Sequence, residues 1–136
     1  MIRSVSLGKE IAVVVENKVG ILASMSRILA DHGINIEGVA GYEAGNEAKL
    51  MFVVTDTLRA KEALQKAGYN KIKENEVVII DLENKPGALK GITAKMASEN
   101  IDIRYMYGTT CSEGCPARVI VATANNEKAL LALKSK

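Results

Sequence analysis

The chain has 136 residues, with 18 basic and 16 acidic side chains and a formal net charge of +2, so charge does not favour a polyanion such as nucleic acid. Hydrophobic residues make up 48% of it, yet Lys, Glu, Asp or Arg interrupts every candidate span well short of the ~18 apolar residues a membrane helix needs. The start, Met1 to Leu7, has no apolar core of signal-peptide length, and a cytoplasmic location is expected.

Ile2, Val5 and Leu7 predict a short strand over residues 2–7 that Gly8-Lys9 breaks. Glu10 to Glu16 reads as a strand whose residues 11–15 are apolar on both faces, which predicts burial on both sides. From Gly20 to Asp31 the apolar residues Ile21, Leu22, Met25, Ile28 and Leu29 form one stripe of a helix. Gly33 supplies a left-handed C-cap, and the single histidine, His32, suits the negative end of that helix as a structural residue. Ile34 to Tyr42 and Lys49 to Thr55 read as strands joined by a hairpin turn at Gly45-Asn46. Thr57 to Ala67 is a helix with Ala60, Ala63, Leu64 and Ala67 inward, and Tyr69 to Lys73 a short fourth strand. The order is βαββαβ.

The pattern then repeats. Glu16-Asn17-Lys18-Val19-Gly20-Ile21-Leu22 recurs as Glu83-Asn84-Lys85-Pro86-Gly87-Ala88-Leu89, an offset of 67 residues (84 − 17). Each copy ends a β-branched run and opens an amphipathic segment, so each is a strand-to-helix turn. The repeat divides the chain into residues 1–73 and 74–136. In the second part Glu76 to Leu82 is a strand, and Pro86 to Ser98 a helix with Leu89, Ile92 and Met96 inward. Ile101 to Tyr107 and Arg118 to Thr123 are hairpin strands, and Asn126 to Lys134 is the last helix. No fourth strand remains for this copy, and residues 1–9 are the candidate to complete its sheet.

The predicted class is α+β: two tandem ferredoxin-like βαββαβ units sharing or pairing antiparallel sheets, with helices on one face. Halves of about 65 residues are near the lower limit for independent folding. Apolar side chains on both faces of the strands call for a cover, and a partner chain, giving a homo-oligomer with a dimer favoured, is the simplest. Tyr105 and Tyr107 share a strand face and suit packing better than a pocket.

Chemistry is hard to place. Cys111 and Cys115 are separated by three residues and His32 is remote in sequence, so a zinc site lacks ligands. Cytosolic thiols are normally reduced, with a labile disulfide across the turn as the lesser alternative, and neither cysteine opens a helix that would activate it. There is no nucleophile-and-base arrangement and no phosphate loop. No catalytic residue, metal or cofactor is expected.

A strand ending in Asn17-Lys18-Val19-Gly20, a helix of about a dozen residues, and then Gly33-Ile34-Asn35-Ile36 resembles the ACT domain, a small amino-acid-sensing regulatory module. Asn84-Lys85-Pro86-Gly87 with Asn100-Ile101-Asp102-Ile103 resembles it again, so that the likeness covers residues 10–73 and 74–134. Val19 stands where the family commonly has proline, and Asp102 replaces asparagine. The resemblance implies ligand sites where two units meet, with the loop of one facing the start of the second strand of its neighbour. A glycine at the helix start admits a ligand carboxylate to unpartnered backbone N–H groups. Asn17, Val19, Gly20, Ile21 and Leu22 would form one such loop, and Asn84, Pro86, Gly87, Ala88 and Leu89 the other. Asp102 and Ile103 would complete the first site, and Asn35 and Ile36 the second.

The resemblance thus implies a stand-alone sensor of a free amino acid, without chemistry of its own, acting on a separately encoded catalytic enzyme subunit. Other readings stay open. Asn17 and Asn84 suit caps or turns and Pro86 a first helical turn, so the same loops fit a ligand-free protein-interaction scaffold. An RNA-binding module would need exposed aromatics on its central strands, where this chain offers chiefly Phe52 among 4% aromatics. A thiol-redox protein would rest on Cys111 and Cys115 alone.

Overall fold

Where four short strands were expected, two long ones run. The computed structural model describes residues 1–110 and 114–134. Its elements are β1 (Ile2–Glu16), α1 (Ile21–Asp31), β2 (Ile36–Ala44), β3 (Glu47–Val54), α2 (Thr57–Lys66), β4 (Ile72–Leu82), α3 (Ala88–Ser98), β5 (Ile103–Thr109), β6 (Ala117–Thr123) and α4 (Asn126–Lys134). β1 passes straight through Gly8-Lys9, which does not break it. Gly8 marks a close approach instead, since a Cβ there would collide with the Ile79 side chain. β4 joins the two segments read separately around Glu74-Asn75, because no glycine or proline interrupts them.

The chain forms two units, Lys9–Asn75 and Met1–Gly8 with Glu76–Lys136. In the first, the strand order is β2-β3-β1-β4. β1 pairs antiparallel with β3 from Ile11↔Phe52 to Glu16↔Glu47, and the β2–β3 hairpin closes at Ala44↔Glu47. One face of this sheet presents Ile11, Val13, Leu50 and Phe52 to Met25 and Leu29 of α1 and Ala60 and Leu64 of α2. Phe52, Met25, Leu29 and Leu64 are fully buried, each withdrawing enough apolar surface to contribute about 1.5–3 kcal/mol.

The second unit has the order β1-β4-β6-β5. The Glu83 amide donates to the Met1 carbonyl at 2.8 Å. Val78, Ile80 and Leu82 of β4 and Val119 and Val121 of β6 pack on Ile92 and Met96 of α3 and Ala129 and Leu133 of α4. Each unit is thus a ferredoxin-like βαββαβ arrangement with its helices on one face. The opposite faces carry Met51 and Val53 in the first unit and Val77 and Ile120 in the second, all buried.

Helix ends follow local chemistry. Gly33 closes α1 at φ 69°, donating to Ala30 O while the Ile34 amide reaches Leu29 O. Asn100 does the same for α3 at φ 56°, being one of the few residues with a side chain that tolerates a left-handed backbone. His32 Nδ1 lies 2.8 Å from Ile28 O, and Arg59 Nη2 donates to His32 O at 2.6 Å, so His32 ties α1 to α2. Cys115 is disulfide-bonded, where reduced thiols were expected. Cys111, the chain's other cysteine, lies outside the described residues.

On the helix-free face of the second unit, Arg118 on β6 grips Asp81 on β4, its register partner, through Nε at 2.8 Å and Nη2 at 3.1 Å. Ser4 of β1 adds a third hydrogen bond at 3.2 Å. The Arg118 hydrogen bonds hold the Asp81 carboxyl below its ordinary value of 3.8, against the opposing effect of burial. A depressed carboxyl stabilises the fold above the unfolded value and loses that contribution as pH falls through the folded one. Arg118→Ala should therefore cost about 1–2 kcal/mol at pH 7, read by urea melting. Asp81→Asn should flatten the acid limb of stability below pH 3.8; an unchanged limb would show that the pair does not matter.

Candidate functional site

The two repeated loops share a backbone feature that their residues singly do not show. Gly20 is the N-cap of α1 at φ 87°, and Gly87 the N-cap of α3 at φ 89°. Neither helix has a side-chain cap or an acidic residue in its first turn. The other two helices differ. Asp56 Oδ1 accepts from the Arg59 amide at 3.1 Å in α2, and Asn125 Oδ1 from the Lys128 amide at 3.1 Å in α4. The helices that follow the repeated loops thus have no N-cap side chain; their first amides, Ile21 and Ala88, turn back to Lys18 O at 3.3 Å and Lys85 O at 3.2 Å, and at the next amides the positive end of the dipole favours an anion. A Cβ at Gly20 would meet nothing within 4 Å, and at Gly87 only Met1 Cε at 3.8 Å. Glycine is required there by φ, not by crowding.

Asn17 does not cap its helix. Asn17 donates its carboxamide to Glu43 Oε2 at 2.7 Å and its backbone amide to Asn46 O at 3.0 Å, which ties the loop to the β2–β3 turn. Pro86 precedes the N-cap and is not in the first helical turn. Val19 is wholly exposed at 105%, and Leu22 and Leu89 are nearly half exposed. Lys85 bonds Glu83 at 2.7 Å and holds that carboxyl below its ordinary range, chiefly through this hydrogen bond.

Beside each loop is a hollow. In the first unit it measures about 900 Å³ and is lined by Asn17, Ile21, Glu43, Asn46, Tyr69 and Lys71 among others. In the second it is about 330 Å³, with Asn84, Ala88, Leu89, Gly108 and Arg118 in its wall. Glu43, Asn46, Tyr69 and Lys71 escaped the sequence reading. Their signal was topological, because in a βαββαβ unit the β2–β3 turn and the α2–β4 loop come to the same sheet end as the β1–α1 loop.

Asn35, Ile36, Asp102 and Ile103 are elsewhere. Ile36 pairs with Val54, the far end of β3 from the Glu16↔Glu47 pair beside the loop. Asn35 exchanges backbone contacts with Thr55, its amide reaching Thr55 Oγ1 at 3.1 Å, and the Asp102 carbonyl accepts from Ala124 at 3.0 Å. Both residues are exposed. Within its own unit, neither shares the hollow of the loop. Tyr105 and Tyr107 stack at 6.5 Å and 21°; Tyr107 is opposite Ile120 on the helix-free face and does not line the second hollow.

Residues 9–68 match the ACT domain family. None of the curated proteins matches the sequence. Among solved structures, a protein from Bacteroides thetaiotaomicron is 28% identical with a TM-score of 0.87, over 96% of this chain and 88% of that one. The ligand-free regulatory subunit of aspartate kinase from Thermus thermophilus is 19% identical with a TM-score of 0.70, over 97% and 95%. The corresponding subunit from Thermus flavus is 18% identical with a TM-score of 0.65, again over 97% and 95%. At those last two identities the likeness is one of fold. Among the described residues, no cluster of His, Cys, Asp and Glu could hold a metal and no helix is long and apolar enough to cross a membrane.

The left-handed N-caps make a prediction. Gly20→Ala and Gly87→Ala each place a Cβ on a left-handed backbone and should cost about 1–2 kcal/mol, a fall of several degrees in Tm. A calorimetric scan that found either variant as stable as the parent would show that the loop does not need this conformation.

Proposed function

We propose that this chain, whose residues 9–68 match the ACT domain family and whose second unit repeats that fold, senses a free amino acid and passes its state to a separate catalytic subunit of amino-acid metabolism. The ACT architecture is that of a small-molecule-binding regulatory module. The observation that carries the finer reading is the pair of helix N-termini without a cap side chain, at Gly20 and Gly87, beside two helices that are capped. A ligand carboxylate supplies the missing acceptor, and the dipole adds to the attraction. Asn35 or Asp102, presented by a neighbouring ACT unit, takes the ammonium group. In this reading Val19, Leu22, Ile36, Pro86 and Ile103 border the bound ligand, two copies of the chain assemble, and both work in the cytoplasm. The aspartate kinase regulatory subunits of similar fold supply the analogy for the enzyme partner.

A scaffold reading also has an observation in its favour. The Asn17–Glu43 and Asn17–Asn46 hydrogen bonds give the first loop its shape without a ligand. A thermal-shift screen against the twenty amino acids separates the two. A ligand at a hundred times its Kd should stabilise the protein by about 2.7 kcal/mol. Asp102 is exposed, so Asp102→Asn should fold normally while weakening the hit about tenfold or more through loss of a charge-assisted bond. No stabilisation by any amino acid would favour the scaffold.

A further inference from the structure

Next to the second loop, with which it shares Ala88, the second unit holds a groove of about 820 Å³ between the edge strand at residues 1–5 and the helices α3 and α4. Its floor is the top of the apolar core, where Ala88, Ile92 and Leu133 are buried at 6%, 1% and 6% exposure. Its charged side chains are Arg3, Lys95 and Lys134, with no carboxylate among the described lining residues. Lys95 and Lys134 make no ion pair among the described residues.

Gly91 opens on this groove from the end of the first turn of α3. A glycine there loosens the helix, and neither of the usual reasons for one applies. Its φ is not in the left-handed range, and a Cβ would meet nothing within 4 Å. The repeat shows what changed. By the 67-residue offset (91 − 24), Ala88, Gly91 and Lys95 stand where the first copy has Ile21, Ser24 and Ile28, and both of those isoleucines pack on the first core. Each replacement lowers the wall or adds a cation.

We propose that this groove binds a small amphipathic anion, a carboxylate carrying a hydrocarbon chain. The chain rests along the Ala88–Lys95 face of α3, which spans about 10 Å at ~1.5 Å per residue, and passes over Gly91 at backbone level. The carboxylate is held by Lys95, Lys134 and Arg3. An apolar floor with a few polar or charged groups is the usual form of a small-molecule site of this volume. The groove borders the second amino-acid loop at Ala88, and none of its cations belongs to either loop.

Isothermal titration of the full chain with sodium decanoate, below its micelle concentration, tests this. One saturable site per chain is expected, with decylammonium at least tenfold weaker. Gly91→Leu should fill the groove and abolish decanoate binding, with Tm unchanged or raised. Lys95→Glu, a second variant independent of helix packing, should weaken binding at least tenfold. Any amino-acid stabilisation at the loops should survive both substitutions, which separates this site from that reading. Absence of saturable binding, equal binding of decylammonium, or full affinity in Gly91→Leu would overturn the proposal.

Discussion

A left-handed residue immediately before each of two helices is the constraint on which the rest depends. Gly20 and Gly87 turn the chain from β1 into α1 and from β4 into α3 at φ 87° and 89°. That turn lays each helix across its own sheet, so that Met25 and Leu29 in one unit and Ile92 and Met96 in the other meet the strands. The same turn removes the side chain that would otherwise cap the helix. Packing and exposure of the backbone amides therefore come from one local conformation. An Asp or Ser at these positions would cap the helix well but would be strained at positive φ and would occupy the acceptor place.

The two copies keep the turn and vary what surrounds it. Around Asn17 the hollow is wide and polar, bordered by Glu43 and Lys71; around Asn84 it is small, and Lys85 is already neutralised by Glu83. Ile21 and Ile28 fill the space over the first core, whereas Ala88 and Lys95 leave it open over the second. Duplication followed by such divergence keeps one fold and separates its surfaces, since core positions face packing constraints that loop and rim positions do not.

Much of the fold was legible because periodicity and turn residues agreed. The 67-residue repeat (87 − 20) and the apolar stripe of α1 located both units, and Gly33 marked a helix end at its left-handed position. Gly8 misled, because the same residue that breaks a strand also permits close approach within one, and only the neighbouring Ile79 decides between them. The glycines of the site were legible as turn residues. That Asn17 would bond Glu43 instead of capping α1 was not, since that partner is 26 residues away and a capping residue is recognised by its local neighbours alone. The disulfide at Cys115 was the lesser of two readings, as spacing fixes neither compartment nor potential.

The central claim is that the uncapped N-termini of α1 and α3 receive the ligand. Amide chemical shifts, followed by heteronuclear NMR during titration with the amino acids, test it most directly. The account predicts that the largest movements fall on the amides of residues 20–23 and 87–90, which belong to the first turns of the two helices. Movements confined to other surfaces, with these amides unmoved at saturation, would contradict it.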